Sequence, residues 1–175
     1  VLSADTMLHL PDFRSSEKTF QLLTQVSGRA GRHELPGEVI IQTYTPEHYS
    51  VELAGTQDYD LFYNREMMMR KAHHYPPFYY LALITVSHEQ LITVVGATEK
   101  ITAFVRSRIS NQAVVLGPAA SPIPRINNRY RYHCLIKYKR EPELTKTLKA
   151  ILDQYQNDPK SGLLVSIDVN PFILM

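Results

Sequence analysis

Residues 130–138 read Tyr-Arg-Tyr-His-Cys-Leu-Ile-Lys-Tyr, a stretch that presents one largely apolar and one largely basic set of side chains. An alternation with a period of two predicts a β-strand with one face against a core. We expect the apolar set to lie against helices and the basic set to lie on an open face of the sheet. The apolar set is Tyr130, Tyr132, Cys134, Ile136 and Tyr138, and the other is Arg131, His133, Leu135 and Lys137.

The segments on either side of this strand predict a βαββαβ order. Two βαβ halves of about 45 residues each are typical of a ferredoxin-like split βαβ sandwich, in which the helices cover one face of the sheet. Residues 121–129 predict a loop stiffened by Pro122 and Pro124. The remaining elements are strands at 79–87, 114–116 and 163–169, and helices at 90–109 and 144–155.

The first 77 residues predict a different architecture. A helix is expected from Ser15 or Ser16 to about Gly31, followed by a strand at 38–44 that is buried on both faces. A fully apolar strand beside a helix is the pattern of a parallel α/β sheet. Two further helices, at 48–54 and 58–71, end at Tyr75-Pro76-Pro77-Phe78, since the residue before a proline is pushed out of the helical region. We place a domain boundary there.

Composition excludes several classes of protein. Hydrophobic residues make up 44% of the 175, enough for a packed core. The single cysteine, Cys134, excludes a disulfide scaffold and a cysteine-based zinc site. No apolar run approaches the ~18 residues of a membrane span. We expect a cytoplasmic protein without a bound metal, and, because the first residue is Val1, a piece of a longer chain.

The charge is distributed unevenly. The net charge is only +2, but residues 118–160 carry nine basic and four acidic side chains, whereas residues 1–75 have an acidic excess. Such asymmetry favours a polyanionic partner. The alternatives are a solvated sheet face without a ligand, or an aromatic platform in which Tyr132 stacks on bases. The predicted DNA contacts are Arg125, Arg129, Arg131, His133, Lys137, Lys139 and Arg140.

The predicted helix after Ser15 carries a second candidate site. At ~100° per residue, Gln25, Arg29 and Arg32 fall on the side opposite Phe20. Gly28 keeps the surface between them low, and two guanidiniums with a carboxamide suit a triphosphate. The alternative is an ordinary exposed polar face. The sequence contains no glycine-rich phosphate loop ending in Lys-Ser or Lys-Thr, so the chain alone is not expected to hydrolyse a nucleotide.

Residues 25–32, Gln-Val-Ser-Gly-Arg-Ala-Gly-Arg, resemble the sixth motif of superfamily 2 helicases, Gln-x-x-Gly-Arg-x-Gly-Arg. The surrounding sequence is similar, over essentially the whole chain, to the PriA family of primosomal replication-restart helicases. The stretches that carry this resemblance are Asp5 and residues 11–14, 17–23, 36–37, 42–44, 75–78, 116–119 and 122–125.

The resemblance implies a fold of α/β plus α+β type. Residues 1–45 would be the end of a RecA-like helicase lobe, residues 46–77 a helical connector, and residues 78–175 the ferredoxin-like C-terminal domain. In this family the two motif arginines act on the γ-phosphate of ATP. The resemblance therefore implies catalytic roles for Arg29 and Arg32 and nucleotide-binding roles for Gln25 and Gly28.

The implied activity is that of an ATP-dependent 3′→5′ DNA helicase that reloads the replicative helicase at abandoned forks. The full-length protein would use ATP and magnesium, and would hold zinc in an insertion that this chain lacks. Branched and single-stranded DNA, single-stranded-DNA-binding protein, and primosome and helicase-loading proteins are the implied partners. This chain alone should bind DNA modestly and be inactive as an ATPase. The alternatives are a protein-docking module with little DNA binding of its own and an independent RNA-binding protein.

Overall fold

The computed structural model describes residues 4–29, 38–156 and 162–174. The chain divides into two compact units, Val1–His73 and His74–Met175. In the described parts of the chain, no helix has both the length and the apolar character that are needed to cross a bilayer.

The first unit is helical. Its described elements are α1 (Asp5–Leu8), α2 (Ser15–Ser27), α3 (Tyr49–Thr56) and α4 (Tyr59–Ala72). The two predicted connector helices, α3 and α4, are confirmed to within two residues. Each has a side-chain cap, because His48 accepts a hydrogen bond from the Ser50 backbone N–H and Asp58 accepts one from the Leu61 backbone N–H.

The core of this unit lies between helices. The rings of Phe20 and Phe62 stack with their centroids 4.0 Å apart, and Leu23 is almost completely buried beside them. Among the described residues, the apolar face of α2 therefore packs on other helices, and the parallel α/β sheet that the sequence predicted beside this helix is not formed. The residues that cover this face come from α3 and α4: Val51, Leu53, Ala54 and Phe62.

The predicted buried strand at 38–44 is also wrong. These residues belong to no strand, and the Ile40 side chain is 75% exposed. A strand needs a neighbouring strand to accept and donate its backbone hydrogen bonds, and the described residues of the first unit form none. Instead, the buried Asp5 carboxylate accepts hydrogen bonds from the Tyr44 backbone N–H and from the hydroxyls of Thr43 and Thr45.

The second unit has the βαββαβ element order that the sequence predicted. The elements form a four-stranded antiparallel sheet in the order β2-β3-β1-β4, with β1 and β3 in the centre. Its elements are β1 (Tyr80–His88), α5 (Leu91–Arg108), β2 (Val114–Ile126), β3 (Arg129–Tyr138), α6 (Leu144–Gln156) and β4 (Leu164–Val169).

The alternation in β3 predicted its buried face correctly. Cys134 and Ile136 are fully buried, and Cys134 pairs with Ile84 of β1 across the sheet. These side chains share one hydrophobic core with both helices of the unit. The helical residues of that core are Val94, Ile101 and Val105 of α5 and Leu144, Leu148 and Ile151 of α6.

The β2 strand is much longer than predicted, and most of the expected loop at 121–129 belongs to a hairpin. Between the Ala120–Tyr132 and Arg125–Tyr130 pairs, residues 121–124 lie opposite Arg131 alone. This bulge takes Pro122 and Pro124 out of the ladder of an edge strand, so their missing N–H groups cost no ladder hydrogen bond.

Candidate functional site

The described residues of the helicase-like motif, 25–29, lie at the end of α2 and directly after it. The helix ends at Ser27, earlier than the predicted Gly31, and the Ser27 hydroxyl donates to the Leu23 and Thr24 carbonyl oxygens. A serine that bonds back to the preceding turn competes with the continuing helix. Gly28 is the C-cap with a right-handed φ of −66°, so left-handed geometry is not its role. Gly31, the predicted helix end, and Arg32, a predicted site residue, lie outside the described residues.

Three motif residues are exposed together at this helix end: Gln25, Gly28 and Arg29. The opposite side of α2 is buried through Phe20 and Leu23, at 4% and 1% exposure. This division agrees with the predicted periodicity. The arrangement leaves one guanidinium and one carboxamide at the surface, where they can donate to an anion.

A cavity that the sequence did not predict lies beside these residues. It has a volume of about 420 Å³ and is formed by side chains of α2 and α4. Gln25 lines it, so the cavity reaches the motif helix. Its other lining residues include Thr24, Tyr59, Phe62, Tyr63 and Met67.

A buried charged network forms one wall of this cavity. Arg70 donates from Nε to Glu66 at 2.7 Å and from Nη2 to Glu17 at 2.6 Å. The Tyr49 hydroxyl donates to the second oxygen of Glu66 at 2.6 Å. Burial, together with this hydrogen bond to an anion, raises the pKa of Tyr49 to about 12. The network joins α2, α3 and α4 and provides structural support for the motif helix.

Two of the exposed predicted DNA contacts in the second unit lie next to aromatic rings. Arg125 stands over the Tyr130 ring at 4.8 Å from its centroid and donates to the Asn128 side chain. The ammonium of Lys139 is 4.9 Å from the Tyr79 ring centroid. Stacked cations keep their charge while losing side-chain freedom, which suits them to bind an anion.

The predicted DNA contacts that stay exposed form two separate patches. Arg125 lies beside Tyr130 at the start of β3, whereas Lys139 and Arg140 follow Tyr138 at its end. At ~3.4 Å per residue, the eight residue steps from Tyr130 to Tyr138 separate the patches by about 27 Å. The second patch borders a cavity of about 330 Å³ that Tyr79, Gln112 and Tyr138 help to line.

The prediction that Lys137 lies on an open sheet face is wrong. Its residue exposure is 5%, and its ammonium lies 3.5 Å from the centroid of the Tyr75 ring. Burial lowers the pKa of Lys137. Leu81, Leu83 and Leu135, on the same face, are also buried. The face predicted to be open is covered at this end, and Lys137 is therefore not on the exposed basic surface.

The other three predicted DNA contacts, Arg129, Arg131 and His133, are partly buried. Arg129 donates to the carbonyl oxygens of Ser87 and Gly162 and is 4.0 Å from Glu89, so it connects three segments of the unit. Burial and the neighbouring Arg131 charge lower the pKa of His133. Of the seven predicted contacts, the structure leaves Arg125, Lys139 and Arg140 exposed.

Comparison with known proteins identifies the family. The family model described as "Primosomal protein N C-terminal domain" matches residues 71–172. The chain is 57% identical over 176 residues to Replication restart protein PriA of Bacillus subtilis (strain 168), covering 100% of this chain and 22% of that protein. It is 38% identical over 171 residues to the protein of the same name from Synechocystis sp., covering 98% of this chain and 20% of that protein.

A third relative is Replication restart protein PriA of Chlamydia trachomatis, which is 32% identical over 168 residues, covering 96% of this chain and 22% of that protein. The chain thus spans about one fifth of the length of the curated relatives that it matches. The chain belongs to the PriA family of replication restart proteins and corresponds to the C-terminal part of its members.

Proposed function

We propose that this chain is the C-terminal part of an ATP-dependent 3′→5′ DNA helicase that restarts replication at stalled forks. The observation that carries the proposal is the match, over the whole chain, to proteins named for replication restart. In this proposal, residues 1–45 end a RecA-like lobe, 46–77 form the connector and 78–175 form a ferredoxin-like domain. The sheet order β2-β3-β1-β4 supports the last assignment.

The proposed nucleotide role belongs to the end of α2. Arg29 and Arg32 would stabilise charge on the γ-phosphate of ATP, as arginine fingers do, and Gln25 and Gly28 would border the nucleotide. The exposure of Gln25, Gly28 and Arg29 supports this role, because all three can reach a ligand. The remaining nucleotide and magnesium contacts would come from parts of the full-length protein outside this chain.

Alanine substitutions in the full-length protein test the nucleotide role. Arg29→Ala and Arg32→Ala should each lower DNA-stimulated ATP hydrolysis by about a thousandfold and leave fork binding nearly intact. Arg65→Ala is the matched control, since this arginine is on α4 and forms only an exposed pair with Glu52 in the described contacts. Unchanged turnover in the Arg29→Ala and Arg32→Ala proteins would contradict the assignment.

The proposed DNA-binding surface consists of the two exposed basic patches of the second unit. Cations that neutralise backbone phosphates release counterions, so their contribution to affinity falls as the salt concentration rises. A separation of about 27 Å would let the two patches contact phosphates on either side of a fork junction. Branched and single-stranded DNA are the proposed ligands.

A salt titration of fork binding tests this surface residue by residue. Arg125→Ala and Arg140→Ala should each reduce the slope of log affinity against log salt by about one. Lys137→Met is the matched control, because its buried ammonium should not contact phosphate and the slope should stay unchanged. An affinity that does not depend on salt would refute the proposal of backbone contact.

A second function is protein docking. The cavity beside Lys139 and Arg140 has two tyrosines in its lining, a combination that suits a partner segment with a carboxylate and an apolar side chain. Single-stranded-DNA-binding protein and primosome proteins are candidates. Charge reversal at Lys139 and Arg140 separates the two functions, since selective loss of partner binding favours docking and loss of naked-DNA binding favours the DNA surface.

A further inference from the structure

The tip of the β2–β3 hairpin exposes two aliphatic side chains. Every residue from 122 to 128 is exposed, and the exposed fractions of Ile123 and Ile126 are 45% and 40%. Neither side chain is part of either hydrophobic core. A ligand that covers them would bury this apolar surface.

The hairpin tip closes with a tight turn that Arg125 contacts. The residues at its end, Asn127 and Asn128, have φ of 49° and 63°, the left-handed pair that closes a two-residue hairpin. Arg125 connects the turn to the strand, since it stacks on Tyr130 and donates to Asn128. A tip with this geometry loses little conformational entropy when it binds.

The charge around the tip identifies the class of ligand. Three arginines, Arg125, Arg129 and Arg131, lie within three residues of the Asn127–Asn128 turn, and residues 114–140 contain no Asp or Glu. A hairpin of one charge sign attracts a polyanion. Aliphatic side chains and prolines that flank arginines are the residue types that nucleic-acid-binding proteins insert against base steps.

We propose that the tip of the hairpin is an apolar wedge, in which Ile123 and Ile126 contact the terminal base pair of a DNA duplex. The inference rests on the proposed DNA binding and adds the element that recognises a junction. Ile126 pairs with Arg129 across the hairpin and Arg125 pairs with Tyr130, so an arginine lies next to the wedge on each strand. The exposed Arg125 would hold the backbone while the isoleucines insert against the junction base pair and unstack it.

The test uses this chain and a forked DNA that carries 2-aminopurine at the junction base pair. Wild-type binding should raise the fluorescence as the base unstacks. The double variant Ile123→Ser with Ile126→Ser should bind the fork about tenfold more weakly, because two aliphatic side chains no longer bury apolar surface, and should lose the fluorescence rise. Its salt slope should stay that of the wild type, because no charge has changed.

Ile92→Ser is the matched control, as this isoleucine is 79% exposed on α5. It should bind the fork and raise the fluorescence like the wild type. A wild-type chain that binds no DNA would refute the proposed function together with the wedge. If the double variant binds the fork with wild-type affinity and fluorescence, the wedge alone is refuted. If it binds the fork normally but loses a protein partner, the tip is a protein-docking surface and the wedge is again refuted.

Discussion

Arg70 Nε lies 2.7 Å from Oε1 of Glu66, one helical turn away on α4, and both side chains are at most 10% exposed. A buried ion pair is costly to form but strongly destabilising to break, since the remaining charge has lost its partner and cannot reach water. Glu17 and Tyr49 complete this network, which places its hydrogen bonds between three helices.

We predict that Arg70→Met destabilises the first unit by about 3–5 kcal/mol, because the Glu66 carboxylate stays buried and, among the described contacts, keeps the Tyr49 hydroxyl as its remaining hydrogen-bond donor. Urea unfolding, followed by far-ultraviolet circular dichroism, measures the change. The control is Arg65→Met on the same helix, whose pair with Glu52 is 3.6 Å long and exposed. That change should cost at most about 1 kcal/mol, and equal costs for the two variants would contradict the prediction.

Gly117 occupies a position that only glycine fits. Its φ is +114°, and a Cβ there would lie 2.7 Å from the His133 carbonyl oxygen. We expect Gly117→Ala to destabilise the second unit by about 2–3 kcal/mol, measured as a lower midpoint of thermal unfolding. Gly96→Ala in α5 is the control, since nothing lies within 4 Å of its added Cβ, and it should stabilise by up to about 1 kcal/mol. A Gly117→Ala protein as stable as the wild type would show that the hairpin relaxes freely.

The contact between Lys137 and Tyr75 should contribute to the stability of the second unit. Tyr75→Leu removes the ring from above a buried ammonium, and we expect a loss of about 2 kcal/mol in the free energy of unfolding. Tyr79→Leu is the matched change, because it removes a ring from the exposed Lys139 and should cost about 0.5–1 kcal/mol. A cost for Tyr75→Leu no greater than for Tyr79→Leu would argue against a stabilising cation–ring contact.

His133 should make the second unit less stable in acid. Burial, and then the Arg131 charge, hold the pKa of His133 below its ordinary 6.5. The unfolded chain therefore takes up a proton more readily than the folded chain, so the stabilisation is complete above about pH 6.5 and is lost as the pH falls through the folded pKa. We expect His133→Gln to show a smaller loss of stability than the wild type between about pH 7 and pH 5. Parallel pH profiles for the two proteins would count against this linkage.

Local sequence patterns were sufficient for much of the second unit. The alternation in residues 130–138 identified the strand, its length to within one residue and the face that meets the helices. The buried face of a strand is formed by side chains two residues apart, and such residues are close together in the sequence. The hairpin was harder to predict, because Pro122 and Pro124 normally end a strand and only the pairing of β2 with β3 provides the bulge that accommodates them.

Contacts between distant residues decided the rest. The network of Glu17 with Arg70 joins residues 53 positions apart. Likewise, the ring of Tyr75 covers Lys137, which follows it by more than sixty residues. Periodicity gives a side chain's direction from its own element, but it carries no information about which remote segment lies in that direction.

The sequence by itself therefore determined the strand and helix order of the second unit, the polar side of the motif helix and the family to which the chain is similar. The tertiary structure decided which of the predicted cations are exposed and where the residues at 38–44 find their hydrogen bonds. The physical reason is that charge and periodicity are local properties of a chain, whereas burial depends on segments that meet only when the chain is folded.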